Sequence, residues 1–426
     1  MRESRATQKT PARLLRGLAA VLGSLLLAVV AGEIVVRLAA SHMPGVRLLA
    51  EPLGTRRREP QTFAELLHAY RDHLVPFRVW KGFRCNSLGF HDVEFRRERT
   101  PGTFRIVGLG DSFAYGNVTY GRSYLTLAEA LLILAALERD GGERDAAATH
   151  AMHGDTDAPP VELDNLGVPA SGLADYRVVW QLVGRALAPD LAVITIYLGN
   201  DPRDFADQTR FGKTRPAWQR SWLVTFLQRA TKLARERWRM RDADEPAPIP
   251  SPAAPPAGPL VGAMTEVDDD DRPEFSDEAF LDIEALELEM LARPGAKLRG
   301  PDWDAFLAAL GELVDVIERD GVPVVLALAP SRLQVHPEDL AMVAAHAGVA
   351  LDDVDPDLPQ RRIAEFAAAR GVAVVDLTPA LRRAASEGTL YRRNDTHWNV
   401  RGNAVAAAEL ATRLAALGVV PTATRR

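Results

Sequence analysis

Phe104-Arg105-Ile106-Val107-Gly108-Leu109 runs directly into Gly110-Asp111-Ser112, and the joint between the two decides the fold. The first six residues have the length and composition of a buried strand, and the glycine-flanked turn ends it. A serine at that joint sits on the rim of a sheet, its hydroxyl exposed and the next backbone N–H groups directed at a bound oxygen. Gly-Asp-Ser alone is an ordinary turn composition. Its meaning comes from Gly199-Asn200-Asp201, which follows a second apolar run, and from Asp395-Thr396-His397-Trp398-Asn399 near the carboxyl end.

Outward from that joint, β-rich runs at 104–109, 161–166, 191–198, 322–329 and 372–377 alternate with helical patterns at about 122–138, 173–188, 302–320, 357–370 and 400–416. The runs from Leu191 to Leu198 and from Val322 to Ala329 are almost continuously apolar, as expected of strands covered by helices on both faces. This alternation predicts an α/β fold, a doubly wound (flavodoxin-like) five-stranded parallel sheet. Ligands of such sheets bind outside the carboxyl ends of the strands. Ser112, Ala170 and Asn200 all fall there, and His397 precedes the last helical pattern.

A serine hydroxyl is a weak nucleophile near neutral pH and needs a base, usually an imidazole oriented by a third polar group. Ser112, His397 and Asp395 supply these three types. The oxyanion formed on attack at an ester carbonyl needs fixed donors. The Ser112 N–H and the Asn200 amide are candidates, and a third lies in the turn Gly167-Val168-Pro169-Ala170-Ser171-Gly172. His336, in a loop after the fourth run, is read either as a cleft residue or as a surface histidine. Gly108-Leu109-Gly110 is no dinucleotide fingerprint, because Phe113 stands where the third glycine belongs.

With its blocks in this order, the chain resembles the SGNH (GDSL-like) hydrolase superfamily of serine esterases and acyltransferases. The resemblance implies Ser112 as nucleophile, Asn200 as oxyanion donor, and a backbone donor at Ala170, where the family usually has glycine, with Gly172 as the alternative. The family's usual last block is Asp-x-x-His, whereas here Asn394 lies three residues before His397 and Asp395 two. The spacing Asp-x-His-Trp-Asn is instead similar to that of alginate-acetylation proteins and other polysaccharide O-acetyl transferases and esterases. It implies Asp395 as the orienting group, with Asn394 as the alternative.

The 426 residues are 47% hydrophobic and 25% charged, the composition of a globular chain with a sizeable core. A net charge of −6 without an extended basic face argues against nucleic acid as a partner. The single cysteine, Cys85, excludes an internal disulfide and a cysteine-built zinc site. Asp268 to Asp271 lack the ligand spacing of a calcium loop, and no motif calls for a metal or cofactor.

Residues 17–32 carry no charge and follow Arg2, Arg5, Lys9, Arg13 and Arg16. Extended to 37, the run reaches the roughly 20 residues that cross a bilayer, and its basic flank predicts a cytoplasmic amino terminus with the rest exported. A cleaved signal peptide ending near Val29-Val30-Ala31 is the competing reading. The expected organisation is a basic segment 1–16, a transmembrane anchor 17–37, an amino-terminal extension 41–100 and a catalytic region 101–420. That region carries an insertion at 203–300, with a Pro/Ala-rich run at 246–256, read as a lid or as a surface excursion, and a smaller loop at 139–160. The expectation is a single-pass membrane protein whose extracytoplasmic domain cleaves an O-acyl ester, acetyl above all, through an acyl-serine. An O-acetyltransferase acting on envelope or extracellular polysaccharide is the alternative, and a non-catalytic carbohydrate-binding subunit a second. Trp398, Tyr115 and Tyr120 are read either as sugar-stacking rings or as loop packing.

Overall fold

Apolar side chains alternating between the two faces of the strands build the central layer. The computed structural model describes residues 10–43, 46, 62–70, 73–99, 101–139, 161–203, 221–228, 230–231 and 273–418. Five parallel strands, β1 (Phe104–Leu109), β2 (Val161–Asn165), β3 (Leu191–Tyr197), β4 (Val324–Ala329) and β5 (Ala373–Asp376), lie in the order β2-β1-β3-β4-β5. Val107, Ala192, Ile194, Leu326 and Leu328 pack on one face against Tyr176, Trp180, Phe306 and Leu310. Their neighbours Ile106, Val193, Val325 and Ala327 pack on the other against Leu125, Ala128, Ala407 and Leu410. Both faces of β3 and β4 are buried, so these two strands lack the apolar-polar alternation of a half-exposed sheet.

The helices begin and end where side chains satisfy their free backbone groups. Asp302 accepts the Ala305 N–H at 3.1 Å to start Trp303–Arg319, and Asn399 accepts the Gly402 N–H at 2.8 Å to start Val400–Ala416. Leu358–Arg370 stops at Gly371, at φ +70°. The helix expected over 173–188 is shorter, Leu173–Leu182, with a 3-10 turn Gly184–Leu187 after it. β4 starts at Val324 because Pro323 has no N–H to give the ladder. Two helices not expected from the sequence, Pro337–Ala347 and Thr378–Ala385, each carry proline in the first turn.

Contacts divide the chain into two units, 1–58 with 210–256 and 59–209 with 257–426. In the second, Leu66, Tyr70, Leu74 and Phe90 of the amino-terminal extension join the core on one face of the sheet. The carboxyl part of the expected insertion is also integral to this unit. Phe280, Glu284 and Glu287 of the helix Asp277–Glu287 are buried, and Leu288, Met290 and Leu291 pack against Leu333, Leu340 and Val343. Neither a lid nor a surface excursion describes 277–291. The Pro/Ala run 246–256, the acidic stretch 268–271 and the loop after 139 lie outside the described residues.

In the first unit, Thr10–His42 is one helix. Glu33 accepts the Trp222 and Leu223 N–H groups at 3.1 and 2.9 Å and the Ser221 hydroxyl at 2.7 Å, capping the helix at 222–228. Among the described residues no helix is long and apolar enough to cross a membrane, so the crossing expected at 17–37 is not supported by them. Within that range the side chains of 17–19, 22, 25 and 26 are not among those described.

The sheet's edge is closed by one close approach. A Cβ on Gly167, after β2, would lie 2.3 Å from the Tyr115 N and 2.6 Å from the Ala114 carbonyl carbon. Backbone cannot yield there as a side chain would. Gly167→Ala is expected to destabilise the fold by about 1–3 kcal/mol, the usual cost of overpacking, read from the urea unfolding midpoint.

Candidate active site

β1 and β3 are adjacent in space although β2 lies between them in sequence, so the connections after β1 and β3 diverge and leave a crevice at their carboxyl ends. Gly110 turns the chain there at φ +157°, and a Cβ on it would lie 2.7 Å from Ala114 Cβ and 2.9 Å from Thr195 Cβ. Ser112 then opens the one-turn helix Ser112–Tyr115, capped by Asp111, whose carboxylate accepts the Phe113 N–H at 2.9 Å.

His397 reaches the same point from the turn before the last helix. Its Nε2 lies 2.8 Å from Ser112 Oγ, and its Nδ1 lies 2.6 Å from Asp395 Oδ1, which also accepts the His397 N–H at 3.0 Å. An ionised carboxylate only accepts, so Nδ1 carries the ring proton and Nε2 is left to accept from the serine. The imidazole stacks on Phe113 at 5.2 Å, and Phe113 stacks on Tyr197 of β3 at 3.9 Å. Burial works to raise the Asp395 pKa, but the His397 hydrogen bond and the His397 and Arg392 charges outweigh it and hold the group below the usual range. Burial likewise works to lower that of His397, and Asp395, with help from Asp111, outweighs it and raises the imidazole above its ordinary value.

The oxyanion candidates divide. Asn200 follows β3 at the crevice, and the N–H of Ser112 is the first of its short helix and is engaged by no group among the described residues. Ala170 is exposed at φ +57°, a left-handed conformation that explains why glycine suits the position and costs alanine about 1–2 kcal/mol. Gly172 is no substitute, since its N–H already donates to Asp175 Oδ2 at 3.3 Å at the start of the helix Leu173–Leu182.

Packing decides the readings that the sequence left open. Asn394 is turned away, its Nδ2 donating to Asp277 Oδ1 at 2.6 Å and to the Phe275 carbonyl at 3.1 Å, while Asp395 contacts His397. His336 is buried, at the start of Pro337–Ala347, with Nδ1 3.2 Å from Glu338 Oε1. Trp398 is 2% exposed, edge-on to Phe113 and Tyr124, and Tyr115 is 4% exposed, so neither can stack on a sugar. Tyr120 stacks on Phe83 at 4.0 Å. Cys85 is buried 3.5 Å from the Tyr115 hydroxyl.

The sequence reading missed the groups that hold the Ser112 loop. Asn165, the last residue of β2, donates from Nδ2 to the Ala114 carbonyl at 2.7 Å and accepts the Gly167 N–H at 2.9 Å. Asp92, from the amino-terminal extension, accepts the Asn165 N–H at 2.7 Å and the Tyr120 hydroxyl at 2.8 Å, and burial pushes its carboxyl up to about 7. His91 Nδ1 lies 2.9 Å from the Tyr115 carbonyl, and Trp80 Nε1 donates to that of Gly116 at 3.3 Å. The run Asn86 to Asp92 was conspicuous in the sequence, but nothing local shows what it braces. Among the described residues, no cluster of three or more His, Cys, Asp or Glu side chains is placed to hold a metal ion.

Residues 295–425 match the family described as SGNH hydrolase-like domain, acetyltransferase AlgX. Over that stretch the chain is similar to an SGNH hydrolase-like domain. The matched stretch includes Asp395 and His397, and the fold brings Ser112 to them. Over 112 residues the chain is 33% identical to the probable alginate O-acetylase AlgJ of Pseudomonas syringae pv. tomato (strain ATCC BAA-871 / DC3000), covering 26% of each protein. Over 110 residues it is 27% identical to the probable alginate O-acetylase AlgJ of Azotobacter vinelandii, covering 25% of this chain and 26% of that one. The chain thus spans about a quarter of the length of the curated relatives it matches. Among solved structures, the acetyl xylan esterase AlAXEase aligns with 73% of this chain and 100% of its own at 12% identity and a TM-score of 0.37. A catalytic mutant of Axe2, an acetylxylan esterase from Geobacillus stearothermophilus, aligns with 76% and 99% at 13% identity and a TM-score of 0.34.

The raised imidazole gives a direct test. His397 is expected to titrate above 6.5 by NMR, because Asp395 stabilises the imidazolium. Asp395→Asn removes that stabilisation and should lower the titration midpoint by about one unit or more, while Asn394→Ala should leave it in place.

Proposed function

We propose that this chain is an exported, membrane-anchored serine esterase of the SGNH type that acts on an O-acyl, chiefly O-acetyl, ester through an acyl-serine. The relay from Asp395 through His397 to Ser112, with contacts of 2.6 and 2.8 Å, carries this reading. Ser112 Oγ attacks the ester carbonyl as its proton passes to His397 Nε2, and Asp395 balances the charge of the imidazolium. The Ser112 N–H and the Asn200 amide stabilise the oxyanion, each such donor contributing about 3–4 kcal/mol in the transition state. Collapse expels the alcohol, which takes the proton from Nε2 and leaves Ser112 acylated. Water, activated by the same imidazole, then completes hydrolysis.

Acyl transfer needs only that a sugar hydroxyl replace that water. The relatives named as probable alginate O-acetylases support this second reading, and with it a saccharide as substrate. The uncharged run 17–32 behind its basic flank, and exposed Leu27, Ile34, Val35 and Leu38 on the helix Thr10–His42, support anchoring with the catalytic unit outside the cytoplasm. A reporter active only outside the cytoplasm, fused after Arg426, should be active. Activity confined to a cytoplasmic reporter would reverse the orientation.

Mass spectrometry after an organophosphonate probe should find the label on Ser112, and p-nitrophenyl acetate turnover should fall by roughly 10³-fold or more in Ser112→Ala. A folded protein that neither labels nor turns over acetyl esters would leave the carbohydrate-binding subunit as the reading. Acetyl released to water from acetylated alginate or xylan marks the esterase, whereas acetyl passed from p-nitrophenyl acetate to a sugar hydroxyl marks the transferase.

A further inference from the structure

Asp395 has two oxygens and the relay uses one. Oδ1 takes both His397 Nδ1 and the His397 N–H. Oδ2 accepts from Asn117 Nδ2 at 3.2 Å and lies 3.2 Å from Arg392 Nε, an ion pair without the geometry of a hydrogen bond. Resting on the esterase or transferase reading, we propose that Asn117 and Arg392 are positioning residues that clamp Oδ2 and so set the orientation and basicity of His397.

The two groups arrive from opposite sides of the site. Asn117 lies one residue beyond the nucleophile's short helix and its closing Gly116, in the loop whose preceding carbonyls are held by His91 and Trp80. Arg392 lies three residues before Asp395, and its side chain is only 4% exposed. Its N–H donates to the His397 carbonyl at 2.9 Å, and its own carbonyl accepts from Arg332 Nη1 at 3.3 Å. The clamp therefore joins the serine's loop to the histidine's turn independently of the contact between Ser112 and His397. With Oδ2 unheld, the carboxylate can turn about its last side-chain bond, and Oδ1 loses its alignment with Nδ1. Asn117 supplies direction without charge. Arg392 adds charge.

That charge has a definite sign. Asp395 and Asp111 both favour the imidazolium form of His397, and Arg392 opposes them. Glu284, buried on Asp277–Glu287, is the further acidic group that interacts with Asp395. Arg392 thereby keeps a strongly paired imidazole from becoming so basic that it is protonated, and useless as a base, near neutral pH.

Three variants test the proposal, read by NMR titration of His397, by thermal unfolding and by kcat and KM for p-nitrophenyl acetate. Arg392→Met should raise the His397 midpoint, and with it the acid limb of kcat/KM, by about half a unit or more, while Arg392→Lys, which keeps the charge, should return it close to wild type. Asn117→Ala should lower kcat about tenfold, the expected loss for one hydrogen bond to a charged group, with KM changed less than about twofold. An unmoved His397 midpoint in folded Arg392→Met, or equal shifts in the Met and Lys variants, overturns the electrostatic part. Asn117→Ala with kcat within about twofold of wild type overturns the positioning part, and decides the matter if Arg392→Met does not fold. If the wild-type protein turns over no ester, the proposed function fails, and the titrations of Arg392→Met and Asn117→Ala still judge the clamp: a midpoint unmoved in both ends it.

Discussion

One contact, 2.8 Å between His397 Nε2 and Ser112 Oγ, joins residues 285 positions apart. Every other feature of the catalytic unit bears on whether those atoms meet. The sheet order β2-β1-β3-β4-β5 puts the ends of β1 and β3 side by side, so Ser112 and Asn200 share a crevice. The last helix packs on the same face as the helix after Ser112, its Asn403 accepting the Tyr124 N–H at 3.1 Å, which brings the turn of His397 back to β1. Apolar burial at roughly 1.5–3 kcal/mol per large side chain holds these layers. The reacting groups themselves need not be a source of stability.

Support for the Ser112 turn comes largely from outside the strand that carries it. Asp92, His91 and Trp80 reach in from the amino-terminal extension, and Asn165 from β2, to bind the backbone from Ala114 to Gly116 and the turn beyond β2. A loop carrying a nucleophile has few hydrogen bonds of its own to make, because its first N–H groups must stay open to substrate. Neighbouring segments therefore do the holding. The same logic gives Asp395 its second pair of partners, one on each side of the site.

Much of this was legible in the sequence because its signals are local. The five strands followed from short β-rich runs, the helices between them from their periodic patterns, and the gathering of Ser112 and Asn200 at one rim from their places after strands. Alternatives stayed open, or the reading failed, where local sequence is silent about space. Trp398 and Tyr115 could have faced a sugar or packed the loops, and the fold turns both inward; His336, read as a cleft or surface residue, is buried as well. The stretch 277–291 looked like part of an excursion because its burying partners, Leu333, Leu340 and Val343, are more than forty residues away.

What the sequence determined by itself was the α/β sheet and the chemical types at its rim, since hydrophobic period and turn residues act over a few positions. The choice between Asn394 and Asp395 was decided only by tertiary structure: Asn394 binds Asp277 from a distant helix, leaving Asp395 to face His397. So was the failure of Gly172 as a donor, its N–H spent on Asp175, and the left-handed backbone at Ala170. Hydrogen-bond partners and backbone conformation are set by what packs nearby, and sequence spacing does not record that.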